Sequence, residues 1–354
     1  MNDHSPTQDR DPVIDTSCSV CETGTSSFHA RIDGYDYFRC AACGSLHIDH
    51  ATLDRIDTGE STRVYDETYW NEELRSARER ADGVSLVRAG EAILYARRPV
   101  ERFLDVGTGP GYLLDALAGH FPAHPNMFHG VELFPPREHS TNPHYLIGDV
   151  GDLTGQFDAG TCIEVAEHLT PKMLQRLARG LAAISNPGTL WLFNTGMPEY
   201  VLEQDPGYLD PLRRGHIVSY GLRGIAHLFE PYGFRITPIP GKSYAWFAEF
   251  EPIETPGFDE RVYRPLPENR KLLEEFGLLF QAAFESARAS LYMQTAWAQS
   301  QRGAESGDTT TCATADVWDE YQRMLHSRSW RLTKPLRTAA RWARTVRKRA
   351  RRDS

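Results

Sequence analysis

One decapeptide restricts this chain more than any other stretch: Phe103-Leu-Asp-Val-Gly-Thr-Gly-Pro-Gly-Tyr112. A short apolar run leads straight into three alternating glycines. Glycine lets a backbone turn sharply and approach a ligand closely. A helix signal follows at once over 112–119, so the unit is strand, turn, helix. The alternation then repeats. Strand signals fall at 103–106, 127–133, 145–147, 157–163 and 189–194, with helices over 171–184 and 222–232. Two last strands, 234–238 and 244–250, can pair as a hairpin at one edge. This order predicts an α/β fold: a Rossmann-like, doubly wound, seven-stranded and mainly parallel sheet covered on both faces.

The glycine spacing narrows the ligand. A dinucleotide site wants G-x-G-x-x-G with a helix N-terminus facing a pyrophosphate. Here Gly107, Gly109 and Gly111 give G-x-G-x-G, with Asp105 two residues before the first glycine. A carboxylate at that strand end suits a ligand that carries positive charge. Glu132 ends the second strand, where a doubly wound sheet meets the ribose. Asp149 ends the third, where it can accept from an adenine amino group. A single loop carboxylate means little; three in order at successive strand ends are a pattern.

On these residues, 99–252 resembles a class I S-adenosylmethionine (SAM)-dependent methyltransferase. The resemblance implies SAM as cofactor, with Asp105, Gly107, Gly109 and Gly111 as the glycine motif, Glu132 as the ribose acid and Asp149 as the adenine-side acid. The family's motif after the fourth strand matches Phe157-Asp-Ala-Gly-Thr-Cys-Ile-Glu164-Val-Ala-Glu167-His168-Leu169, which brings Glu164 to the cofactor side.

Four of the six cysteines form a second signature. Cys18-x2-Cys21 and Cys40-x2-Cys43 are 18 residues apart, within the range for a four-thiolate structural zinc. Such a site is closed and does no chemistry. His29 and His47 lie nearby as bystanders, since four thiolates fill the ion. A zinc-ribbon-like module before the catalytic unit resembles bacterial methyltransferases that include sugar-modifying ones, which implies a sugar or glycan acceptor in surface-polysaccharide synthesis.

On the acceptor side, His216 lies between the fifth strand and the next helix. It is either a base or acceptor anchor, or a packed or capping histidine. Glu164, Glu167 and His168 form E-x-x-E-H, which resembles the metal site of ubiquinone-pathway and small-RNA O-methyltransferases. The same pattern is common in metal-free class I enzymes, and the metal-free reading is preferred. Tyr65, Tyr69 and Trp70 could cover the cofactor or stack on a sugar; they could equally be core contacts of the helix expected over 71–96.

Charge is distributed unevenly. Residues 323–352 hold 12 Lys or Arg and no acid, whereas the first 322 carry 27 basic and 47 acidic residues, a net of −20. The acidic body argues against a specific nucleic-acid partner. Within the tail, Ser329-Trp-Arg-Leu-Thr-Lys-Pro-Leu-Arg337 resembles a segment near the ends of bacterial polysaccharide-cluster enzymes. Apolar residues beyond it recur at helical spacing, as in a helix lying on anionic lipid. The expected organisation is a disordered 1–16, a zinc module 17–50, a linker and helix 51–98, the SAM domain 99–252, a C-terminal helical extension 253–301 with one long helix over 269–300, and a linker with basic tail 302–354. No signal sequence or spanning run is evident, so a cytoplasmic location is expected, peripheral at the inner membrane face. Three other readings compete: a methyltransferase of another acceptor, such as a small metabolite, RNA or lipid; an inactive SAM-binding zinc-ribbon adaptor, opposed by the intact glycine loop with Glu132 and Asp149; and an NAD-dependent sugar oxidoreductase, opposed by the missing G-x-G-x-x-G and Tyr-x-x-x-Lys.

Overall fold

The computed structural model describes residues 17–63, 67–81 and 83–305. The chain divides into two compact units, 1–288 and 289–354. The N-terminal part holds strands β1 (Ser26–Ile32), β2 (Tyr35–Cys40) and β3 (Leu46–Ile48), then helices α1 (His50–Asp57), α2 (Glu67–Ala81) and α3 (Val84–Tyr95). The α/β part runs β4 (Phe103–Val106), α4 (Tyr112–His120), β5 (Phe128–Glu132), β6 (Tyr145–Ile147), β7 (Phe157–Ile163), α5 (Pro171–Ala183), β8 (Ser185–Asn194), α6 (Pro198–Glu203), β9 (Val218–Ser219), α7 (Leu222–Phe229), β10 (Phe234–Pro238) and β11 (Ala245–Phe250). Helices α8 (Phe258–Tyr263), α9 (Pro267–Glu275) and α10 (Gly277–Glu305) follow.

The main sheet has seven strands in the order β10-β11-β8-β7-β4-β5-β6. Every pair from β8 to β6 is parallel, while β11 runs antiparallel to both β8 and β10. The Rossmann-like expectation and its edge hairpin therefore hold. Strand β4 lies inside the sheet between β7 and β5 and is buried at all four positions, as a strand covered on both faces must be. Helix α5 shows how the covering layer forms. Thr170 caps it by accepting from Met173 N at 3.2 Å, Pro171 opens its first turn, and Leu174, Ala178 and Leu181 bury one face. Each fully buried leucine contributes roughly 1.5–3 kcal/mol.

Two expected helices are each broken in two. The 71–96 helix is split into α2 and α3 around Gly83, whose φ of −135° and ψ of −106° leave the helical region. The 269–300 helix is split at Phe276 (φ −109°, ψ 73°), whose ring stacks on His120 at 3.9 Å and packs edge-on against Phe121. The aromatic anchor interrupts the helix at this one residue and packs against the end of α4.

The N-terminal strands form a second sheet, β1-β2-β3-β9. Its last strand comes from the far side of the catalytic unit: Leu46 and His47 pair with Ser219 and Val218. Ile48 N donates to Ile217 O at 3.0 Å, and the buried Tyr37 hydroxyl donates to His216 O at 2.8 Å. The cysteine-bearing segment is thereby bonded directly to the loop that carries His216.

Candidate functional site

The ends of β4, β5 and β7 bring together most of the residues expected to hold the cofactor. Asp105 pairs across to Thr161 in the β4–β7 ladder and accepts from the Thr161 hydroxyl at 2.8 Å. It is buried, and burial pushes its carboxyl up to about 6. The turn after it has φ of +69° at Gly107 and +56° at Gly109. A Cβ on Gly107 would run into Val165, and one on Gly109 would stand 3.5 Å from the Trp70 ring. Both positions need glycine for conformation, and the first needs it for space as well. Gly111, also at positive φ, is the N-cap of α4. Tyr145 ties the turn down by donating to Gly109 O at 2.6 Å.

Glu132 accepts from Gly109 N and from Phe134 N, each at 2.8 Å. Its oxygens keep lone pairs for two further donors, as a ribose diol requires. Asp149 is engaged in local contacts of its own. It caps the single turn Val150–Asp152 by accepting from Gly151 N at 2.9 Å and pairs with Arg176 at 3.0 Å. Trp70, on α2, lies over the glycine turn. The side chain of Tyr69 and all of Tyr65 fall outside the described residues.

The loop after β7 abuts this turn through Val165. Glu164 sits in left-handed backbone at φ +55°, unusual for a residue with a side chain, and such strain gathers at functional sites. Asn194 Nδ2 holds its Oε1 at 2.9 Å, and burial together with the neighbouring Glu167 raises its carboxyl to about 8. Glu167 is fully buried and accepts from the Tyr208 hydroxyl at 2.8 Å. His216 places Nε2 3.9 Å from Glu167 and sets Nδ1 2.7 Å from Tyr208 O. Burial, then the neighbouring His168, lowers its imidazole to about 2, so it stays neutral. His168 packs edge-on to His216, with ring centres 4.9 Å apart. The structure therefore brings Glu164, Glu167, His168 and His216 together. Tyr208 and Asn194 complete the group and were missed from the sequence. Asn194 could have been found as the last residue of a central strand; nothing local marks Tyr208.

The four cysteines also converge. Cys18, Cys21, Cys40 and Cys43 are buried, with Cys18–Cys43 sulfurs 3.8 Å apart and Cys21–Cys40 sulfurs 3.7 Å apart. All four lie within 4.8 Å of one another. A tetrahedral ion with Zn–S bonds of about 2.3 Å needs sulfur–sulfur edges of about 3.8 Å, so the donor set fits zinc. Backbone N–H groups of Val20, Ala42 and Cys43 point at the sulfurs of Cys18 and Cys40. His47 takes no part: its ring contacts Ser26 and the Ile48 carbonyl. The tail, 323–352, lies outside the described residues; among those described, no helix is long and apolar enough to cross a membrane.

Comparison with known proteins places these features. Residues 72–239 match the family model for a methyltransferase domain. A search of curated proteins finds no match. Among solved structures, the chain is similar to a mitomycin 7-O-methyltransferase at 20% identity and TM-score 0.36, covering 55% of this chain and 61% of that one. It is similar to a SAM-dependent methyltransferase of Thermotoga maritima at 10% identity and TM-score 0.39, covering 52% of this chain and 99% of that one. A magnesium protoporphyrin IX methyltransferase of Synechocystis matches at 15% identity and TM-score 0.33, covering 51% and 82%. The family match, the strand order and the glycine turn identify residues 72–239 as the catalytic domain of a class I SAM-dependent methyltransferase.

Proposed function

We propose that the chain transfers a methyl group from SAM to a hydroxyl of a sugar or glycan intermediate. The carrying observation is the contact of Gly107 with Val165, which sets the cofactor turn beside the loop of Glu164, Glu167 and His168. Asp105, Gly107, Gly109, Gly111 and Glu132 hold the cofactor, with Asp149 at the adenine side and Glu164 near the methionine part. Bound there, SAM supplies an activated methyl group, so the protein's work is alignment. His216 anchors the acceptor. It is neutral, and with Nδ1 engaged by Tyr208 O its Nε2 is the atom left to receive an acceptor O–H hydrogen bond. The methyl–sulfur bond breaks as the methyl–oxygen bond forms. The hydroxyl proton passes to water, and S-adenosylhomocysteine is released.

Cys18, Cys21, Cys40 and Cys43 bind a structural zinc, supported by their tetrahedral spacing. The sugar acceptor rests on the resemblance of this module and the tail to polysaccharide enzymes. The basic tail is assigned to an anionic membrane surface. The test of the anchor is His216→Ala. S-adenosylhomocysteine affinity should be kept, measured by calorimetry, while turnover on sugar acceptors falls by roughly two to four orders of magnitude. Unchanged turnover would remove His216 from the site.

A further inference from the structure

A buried group of charges has no part in that reading. Arg88 and Glu91 on α3, and Lys242 in the turn between β10 and β11, are 5%, 0% and 7% exposed. Glu91 is the hub. It pairs with Arg88 one turn earlier, and Lys242 Nζ donates to its other oxygen at 2.6 Å. Burial opposes its charge, but the two cations prevail and hold its carboxyl down to about 2. Lys242 also reaches Ser286 on α10 at 3.4 Å. Burying such charges is a poor route to stability, since apolar residues of similar size often do as well or better. The end of β8 gives the group another use. Arg88 Nε donates to Asn194 Oδ1 at 3.1 Å, while Asn194 Nδ2 donates to Glu164 Oε1 at 2.9 Å. A guanidinium has donors and no acceptor. It therefore settles which way round the Asn194 amide stands, oxygen to Arg88 and N–H to Glu164. A reversed amide would set donor against donor at one end and oxygen against oxygen at the other. Glu164 also hydrogen-bonds the Glu167 carboxyl and holds left-handed backbone at φ +55°. A residue in such backbone keeps its place only when its surroundings over-determine it.

We infer that Arg88 is a positioning residue for the cofactor side: held by Glu91 and Lys242, it orients the Asn194 amide and, through it, the Glu164 carboxyl. Glu91 occupies one end of the guanidinium and the Tyr244 ring lies 5.7 Å from its centre, which leaves Nε aimed at Asn194. The use of that orientation, to grip the methionine part of SAM, rests on the proposed placement of Glu164; the orientation itself does not.

The test uses full-length protein with isotopically labelled asparagine, and two ligands: S-adenosylhomocysteine, and adenosine, which lacks the methionine part. In nuclear magnetic resonance the Asn194 side-chain amide, identified by its loss in Asn194→Ser, should exchange slowly with solvent. Arg88→Met and Arg88→Lys should each speed that exchange by about tenfold or more, since lysine keeps the charge but not the fixed fork. In calorimetry both should weaken S-adenosylhomocysteine by about tenfold and leave adenosine unchanged. A merely structural role would move both ligands together. Adding either substitution to Glu164→Gln should cause little further loss, because Arg88 acts through Glu164. If Arg88→Met fails to fold, Arg88→Lys carries the same readings. Unchanged exchange at Asn194, or equal loss of both ligands, overturns the inference. Faster exchange at Asn194 in the Arg88 variants, with S-adenosylhomocysteine affinity indifferent to Glu164→Gln, would sink the placement of Glu164 and leave Arg88 as the residue that orients it.

Discussion

Asp105 combines two demands that rarely meet in one carboxylate. It is buried with a threonine hydroxyl as partner, so its proton leaves only near pH 6. A ligand with an ammonium group favours the ionised form. The sign follows: below pH 6 the free protein holds a proton that binding must expel. S-adenosylhomocysteine affinity should therefore rise with pH and level off above about pH 7. At pH 5 it should be about tenfold weaker than at pH 7. Asp105→Asn should flatten that profile in calorimetry at several pH values; an unchanged profile would clear Asp105 of the role. Gly109 makes a simpler forecast. A β-branched residue at φ +56° costs roughly 1–2 kcal/mol in backbone strain alone, and its side chain would press on Trp70. Gly109→Val should abolish cofactor binding, read as the loss of thermal stabilisation by S-adenosylhomocysteine. At this scale the sequence was informative where chemistry is encoded locally. Asp105, Glu132 and the glycines sit at strand ends that their own neighbours define. Tyr208 was invisible because its hydroxyl reaches Glu167 only after the chain has crossed 41 residues.

Among the elements, the seven strands were legible because each buried run is apolar and bounded by turn residues. At Phe276 and β9 the cause is tertiary contact overriding local preference. Phe276 interrupts a good helical pattern to stack on His120. Strand β9 is two residues long and has no pattern of its own; it exists because β3 offers an edge. That pairing gives the four-cysteine module a consequence beyond its own stability. Tyr37, Ile48 and Ser45 bond to His216 O, Ile217 O and Gly221 N respectively, so the module braces the chain on both sides of His216. Removing zinc should loosen residues 216–221 while sparing the glycine turn. Elemental analysis should give about one zinc per chain, since structural sites of this kind bind tightly. Cys40→Ser should lose it, lower the melting temperature and speed amide hydrogen exchange at Ile217–Gly221. Cofactor affinity should survive better than turnover. Zinc-free wild-type protein with an unchanged melting temperature would refute the assignment.

For the molecule as a whole, the determining feature is the sign change in charge along the chain. The first 322 residues carry a net of −20, and 12 basic residues then follow without an acid before Asp353. An anionic surface repels the former and attracts the latter, so any membrane attraction must come from the end of the chain, beyond the described residues. Each basic residue near such a surface contributes about 1 kcal/mol at best. Twelve cannot all face lipid together, and salt screens charges beyond about 8 Å at physiological strength. Even half of them, helped by Trp330 and Trp342, would give an attraction of useful strength. Binding should then be reversible and salt-sensitive. Full-length protein should sediment with vesicles rich in anionic lipid at low salt and be released at high salt. Deleting 323–354 should abolish sedimentation and leave S-adenosylhomocysteine affinity intact, because the residues proposed to hold the cofactor lie between 105 and 164. If the intact protein ignores anionic vesicles at low salt, the tail does not read membranes, and an acidic glycan or a partner protein becomes its occupant.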